Sequence, residues 1–178
     1  GYKKLLERSL IACGDKELTH YEEAVERYQD IFRECCMHRV EAYEGIGELL
    51  EFLKSQGIFI AVLSNKPHPR TLDNVQGVFG KGYFDLVYGE REDKGIKKKP
   101  CPDGVWAIAE ELGLSKSEIL YLGDTNTDME TGDNAKVDTV GVTWGFRTRE
   151  ELMAFHPALI ADHPSRVVQY IKDVNGIE

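Results

Sequence analysis

No apolar run in the 178 residues approaches the roughly 20 that a membrane-crossing helix needs. The opening GYKKLLERSL also lacks the apolar stretch of a secretory signal. Basic residues are in deficit, 22 Lys and Arg against 31 Asp and Glu, for a net charge of −9. That balance argues against a nucleic-acid surface, which needs clustered cations, and the one basic run, Lys97-Lys98-Lys99, is too short to change it. The four cysteines, Cys13, Cys35, Cys36 and Cys101, form no C-x-x-C pair, and the vicinal Cys35 and Cys36 cannot comfortably bridge each other. They read as reduced thiols, buried or half-buried on helices. The expectation is a cytoplasmic protein with neither a membrane nor a nucleic acid as partner.

What is present is the composition of a soluble globular protein, 42% hydrophobic and 30% charged. The length suits one domain with an appendage. An acidic chain can still bind a small phosphorylated molecule if a metal ion and one or two lysines reverse the sign locally.

Two amphipathic helical patterns come first, over residues 2–13 and 18–38. After Ala42, helical patterns alternate with short apolar runs, the rhythm of β-α units. A helix over 44–56 stops at Gly57, and Ile58 to Leu63 follows as a strand expected to be buried on both faces. A helix over 68–79, a strand over 84–88 and a polar loop lead to a helix over 102–113. Strand 119–122 runs into Gly123-Asp124, followed by a helix over 127–135 and a strand over 138–142. A weaker repeat closes the chain, with helices near 148–155 and 164–173 around a strand at 158–161. The fold class is thus α/β, a parallel sheet preceded by a helical piece. Ligands of such sheets collect at the carboxyl ends of strands, which singles out Ser64-Asn65-Lys66 and Gly123-Asp124-Thr125.

Ser64 offers a hydroxyl, Asn65 an amide and the following turn its N–H groups, a possible phosphate cradle. The same pair after a strand is also an ordinary turn or cap. In Lys99-Pro100-Cys101-Pro102-Asp103 two prolines restrict the backbone, so Lys99 can serve as a fixed positive charge where Lys97 and Lys98 are simply solvated. Asp124 and Asp128 lie four residues apart at a strand–helix junction, and hard carboxylate oxygens there suit magnesium. Alternatively Asp128 only complements a helix dipole.

The order of these pieces, strand-Ser-Asn-Lys, then Lys-Pro-x-Pro-Asp, then strand-Gly-Asp-x-x-x-Asp, resembles the second, third and fourth motifs of the haloacid dehalogenase superfamily. The likeness extends over roughly residues 43–175. SNKPH, KKPCPD, GDTNTDMETGDNA and VGVTWGF look most like phosphoglycolate phosphatases and their relatives. The resemblance implies a Rossmann-like parallel-sheet core over 42–178 and, over 1–41, the latter part of a small helical cap. It implies that Ser64 hydrogen-bonds the transferring phosphoryl group with help from Asn65, and that Lys99 neutralises its charge and orients the nucleophile. Asp124 would ligate Mg2+, and Asp128 would bind the metal's water or Lys99. Such a site works by positioning and charge neutralisation.

The family's first motif, an apolar strand ending in D-x-D-G-T or a variant, carries the nucleophile and the general acid. No D-x-D occurs in these residues. In the family that strand lies mid-sheet, between those corresponding to 58–63 and 119–122. Each buried backbone group left unpaired without it costs about 1–3 kcal/mol, against a total stability of roughly 5–15. The expectation is a longer protein whose central first strand and early cap helices lie outside these residues. Lys136-Val137 stands where relatives often have Ala-Gly, a departure that touches a turn.

The leading expectation is a magnesium-dependent phosphomonoester hydrolase acting through an aspartyl-phosphate whose aspartate is outside these residues. The alternative is a noncatalytic phosphate-binding or regulatory protein that lost the nucleophile. The expected partner is a small phosphorylated metabolite, phosphoglycolate first, and the expected state a monomer or homodimer.

Overall fold

The computed structural model describes residues 2–177. Two helices come first, α1 (Tyr2–Ala12) and α2 (Tyr21–Cys35). α2 starts later than its pattern suggests because the Asp15 carboxylate accepts the Thr19 and His20 N–H groups, both at 2.9 Å, and holds the chain in a turn. The pair is joined by stacked rings, Tyr2 on Tyr28 at 5.0 Å and Tyr28 on Phe32 at 5.5 Å. Neither helix buries a residue fully.

The remainder alternates helix and strand: α3 (Ile46–Ser55), β1 (Ala61–Pro67), α4 (His68–Phe79), β2 (Leu86–Glu90), α5 (Asp103–Leu112), β3 (Leu120–Gly123), α6 (Asn126–Ala135), β4 (Asp138–Val142), α7 (Arg149–Met153), β5 (Leu159–Ala161) and α8 (Pro164–Asn175). All strand pairs are parallel, as expected of β-α units. They form two sheets, β1-β2 and β3-β4-β5.

The three-stranded sheet has helices on both faces. Val140 and Val142 of β4 join Leu49 of α3, Ala161 of β5 and Val167 and Ile171 of α8 in the core. The alternate residues of β4 face the other way, Thr139 towards Gly132 of α6 and Gly141 towards Leu152 of α7. This is the side-chain alternation of a strand covered on both sides.

The run Ile58 to Leu63 departs from expectation. The ladder begins only at Ala61 and continues through the polar residues to Pro67. Ile60 donates its N–H to the Asp85 carboxylate at 2.8 Å instead of to a strand. Nor is the run buried on both faces: Ile60 is buried, but Phe59 is 52% exposed and Ala61 is open. The physical reason is a trough of about 340 Å3 between the two sheets, walled by Ala61 and Leu63 of β1 and by Leu120 and Leu122 of β3, with α5 and α8 side chains around it.

The cysteines are free thiols, but Cys13 and Cys35 are exposed where half-burial was expected. Ser115 closes the short turn before β3 through Glu118, which accepts its N–H at 2.9 Å and its hydroxyl at 2.6 Å. Among the described residues no helix is long and apolar enough to cross a membrane.

Candidate active site

One ammonium ties the two sheets together at their carboxyl ends. Lys99 Nζ donates to the Leu63 carbonyl of β1 at 3.1 Å and to Asp128 Oδ1 in the first turn of α6 at 2.7 Å. The two side chains are 14% and 8% exposed. Since Leu63 directly precedes Ser64, and α6 follows β3 after a two-residue turn, this contact brings the Ser64 and Asp124 segments to one rim.

Asn65 holds Lys99 in place. Its Oδ1 accepts the Lys99 N–H at 2.8 Å, and its Nδ2 donates to the Lys99 carbonyl at 2.9 Å. The amide expected to help hold phosphate is thus engaged with the lysine backbone, with one N–H still free to donate elsewhere. Ser64 Oγ accepts the Lys66 N–H at 3.1 Å, the local turn that serine adopts after a strand. A hydroxyl used as acceptor keeps its own proton for a ligand.

Asp128 is fixed from every side. Its Oδ2 accepts from Thr125 Oγ1 at 2.6 Å and from the Thr125 N–H at 3.1 Å, closing a capping box at the start of α6. Tyr121 donates its hydroxyl to Oδ1 at 3.3 Å. Burial pushes the Asp128 carboxyl up, but the Lys99 ammonium and the hydrogen bonds from Lys99, Thr125 and Tyr121 outweigh it and hold the group below the usual carboxylate range. Burial, with Asp128 and Asp124 nearby, pushes the Tyr121 phenol up, so it stays a donor at neutral pH. Gly123 is required here, because a side chain at that position would overlap Asp128.

Asp124 meets the loop after β4. The Phe146 N–H donates to its Oδ2 at 3.0 Å, and a methyl group at Gly145 would overlap its carboxylate. Two residues on, Asn126 Oδ1 is buried with no hydrogen-bond partner, the only such side-chain atom among the described residues. A buried acceptor with no donor is a place where a cation or a donor belongs. Asp124 and Asn126 together supply hard oxygens at the end of β3. Among the described residues no three His, Cys, Asp or Glu side chains gather. The hard oxygens of such a site suit magnesium.

Sequence reasoning singled out Ser64, Asn65, Lys99, Asp124 and Asp128. It gave no role to Tyr121, Thr125, Asn126 or the Gly145-Phe146 turn. Asn126 and Thr125 stand inside the GDTNTD stretch and were open to notice. Phe146 stands inside the VGVTWGF stretch but reaches Asp124 from 22 positions away, a contact that stretch does not show by itself.

With this geometry established, comparison with known proteins places the chain. A model of the haloacid dehalogenase-like hydrolases matches residues 3–142, and the chain belongs to that family. It is similar to a phosphoglycolate phosphatase of Pectobacterium atrosepticum, 28% identical over 172 residues, covering 96% of this chain and 73% of that protein. A phosphoglycolate phosphatase of Aquifex aeolicus is 35% identical over 125 residues, covering 68% of this chain and 58% of the relative. The solved structure of a haloacid dehalogenase-like hydrolase from Streptococcus pneumoniae shares the fold, with TM-score 0.79, 24% identity and coverage of 93% of this chain and 76% of that one.

Proposed function

We propose that the protein is a magnesium-dependent phosphomonoester hydrolase of the phosphoglycolate phosphatase type, acting through an aspartyl-phosphate. The observation that carries this reading is the position of Lys99, a fixed cation between Leu63 and Asp128 at the rim where Ser64 and Asp124 also end. In this reading Lys99 neutralises the transferring phosphoryl group and Ser64 donates its hydroxyl to it, while Asn65 keeps Lys99 from moving. Charge neutralisation by preplaced groups is what phosphoryl transfer asks of a protein. Asp124, with Asn126, would hold the magnesium ion, which would neutralise phosphate charge. Asp128 would serve by fixing Lys99.

The nucleophilic aspartate lies outside these residues, on a strand that seats in the trough between β1 and β3. Support comes from the trough's walls. Its apolar sides, Ala61, Leu63, Leu120 and Leu122, belong to β1 and β3, edge strands of two sheets that do not pair with each other. A strand running parallel to both would pair with each and deliver its last residue beside Lys99. Residues 1–41 belong to a helical cap over the rim and 42–178 to the core.

The test is phosphate release from an aryl phosphate by the full-length protein. Turnover that requires magnesium and is lost in Asp124→Ala supports the enzyme. Metal-independent ligand binding without turnover would replace it with a noncatalytic phosphate-binding protein.

A further inference from the structure

Lys66 follows the Ser64 turn and is a cation that the phosphoryl site does not use. Its backbone N–H closes the turn on Ser64, while its side chain runs to the seam between the helical pair and the core. There Nζ donates to Asn74 Oδ1 of α4 and stands 5.5 Å from the centre of the Phe32 ring of α2. The orientation of the Asn74 amide is settled by its other end, because Nδ2 donates to the Cys36 carbonyl at 2.6 Å. Asn74 is buried, so its carbonyl stays aimed at the ammonium.

Charge bookkeeping sets Lys66 apart. Lys99 has Asp128, and Lys98 has Glu90 and Glu92, each at 2.9 Å. What faces Lys66 is an amide oxygen, an aromatic ring and the Cys36 thiol, with no carboxylate among the described residues. Burial pushes the Lys66 amine down from its ordinary value, as happens when an ammonium loses water without gaining an anion. A half-buried ammonium held rigid in an acidic protein is a receptor for a negative charge that the protein does not supply.

We propose that Lys66 is a specificity residue that receives a carboxylate on the leaving-group side of the phosphate ester. This rests on the phosphatase reading and deepens it. Only Asn65 separates Lys66 from Ser64, so an anion at its ammonium and a phosphoryl group at Ser64 can belong to one small molecule. A single ammonium matches the single charge of a carboxylate.

The experiment compares phosphoglycolate with para-nitrophenyl phosphate, whose leaving group has no carboxylate, in full-length protein with magnesium. Lys66→Met should lower kcat/KM for phosphoglycolate about 10- to 100-fold, mostly through KM, and change that for para-nitrophenyl phosphate less than about 2-fold. Lys66→Arg, which keeps the charge, should recover part of the phosphoglycolate activity. Equal losses on both esters, no loss on either, or a parent active on para-nitrophenyl phosphate alone would overturn the assignment while leaving the phosphatase intact. A parent that hydrolyses neither ester sinks the phosphatase reading and the role of Lys66 with it.

Discussion

Asn65 clasps Lys99 across 34 positions of sequence, one end of its amide on the lysine N–H and the other on the lysine carbonyl. The amide acts on the backbone, so the direction of the ammonium is set before any ligand arrives. Asn65→Ala should lower kcat for phosphate release about 10- to 100-fold and leave magnesium affinity unchanged, because Asp124 is not touched. It should also cost about 1–3 kcal/mol, since a half-buried N–H loses its acceptor. Steady-state kinetics with a magnesium titration and chemical denaturation check both.

The Lys99–Asp128 pair is buried, so its members are worth more together than either is alone. Breaking it from one side, by Lys99→Met or Asp128→Leu, should cost about 3–5 kcal/mol through the stranded charge. The double variant should be less destabilised than the sum of the two, a non-additivity read from a denaturation double-mutant cycle.

Acid should act on the same pair. The Asp128 carboxyl titrates in the fold below its ordinary value of 3.8. A depressed folded value means its stabilising contribution is complete above that ordinary value and lost as pH falls through the lower, folded one. Unfolding free energy should therefore drop as pH falls below the ordinary carboxylate value and through the lower, folded one, and Asp128→Asn should flatten that part of the curve while lowering stability at neutral pH.

Lys136 closes α6 with φ at +61°, a left-handed position that suits glycine. The departure noted in the sequence at 136–137 thus carries backbone strain. Its ion pair with Asp133 is exposed and contributes little. Lys136→Gly should stabilise the protein by about 0.5–1 kcal/mol, raising Tm by about 1–4 °C without altering kinetics. Differential scanning calorimetry reads it directly.

The alternation of helix and strand was plain in the sequence because glycines and prolines punctuate it; α4 and β4 have the bounds that pattern alone assigns. β1 was misplaced by three or four residues because the apolar run and the ladder are different things. Pairing with β2 draws polar Ser64 to Pro67 into the strand, while the Asp85 carboxylate takes the Ile60 N–H. Ser64 and Asp124 stood out as candidates because each follows an apolar run, Lys99 because prolines flank it on one side, and Asp128 because it stands four residues after Asp124. The clasp of Asn65, the grip of Phe146 on Asp124 and the isolation of Lys66 did not, since each depends on a neighbour that only the folded chain brings near.

The central claim is that Lys99 and Asp124 serve one phosphoryl group. Calorimetric titration of the full-length protein with orthovanadate, with and without magnesium, tests it most directly. Binding should require magnesium and disappear in both Lys99→Met and Asp124→Ala. Vanadate binding that survives in either variant at parental affinity would place the two residues in separate sites and contradict the account.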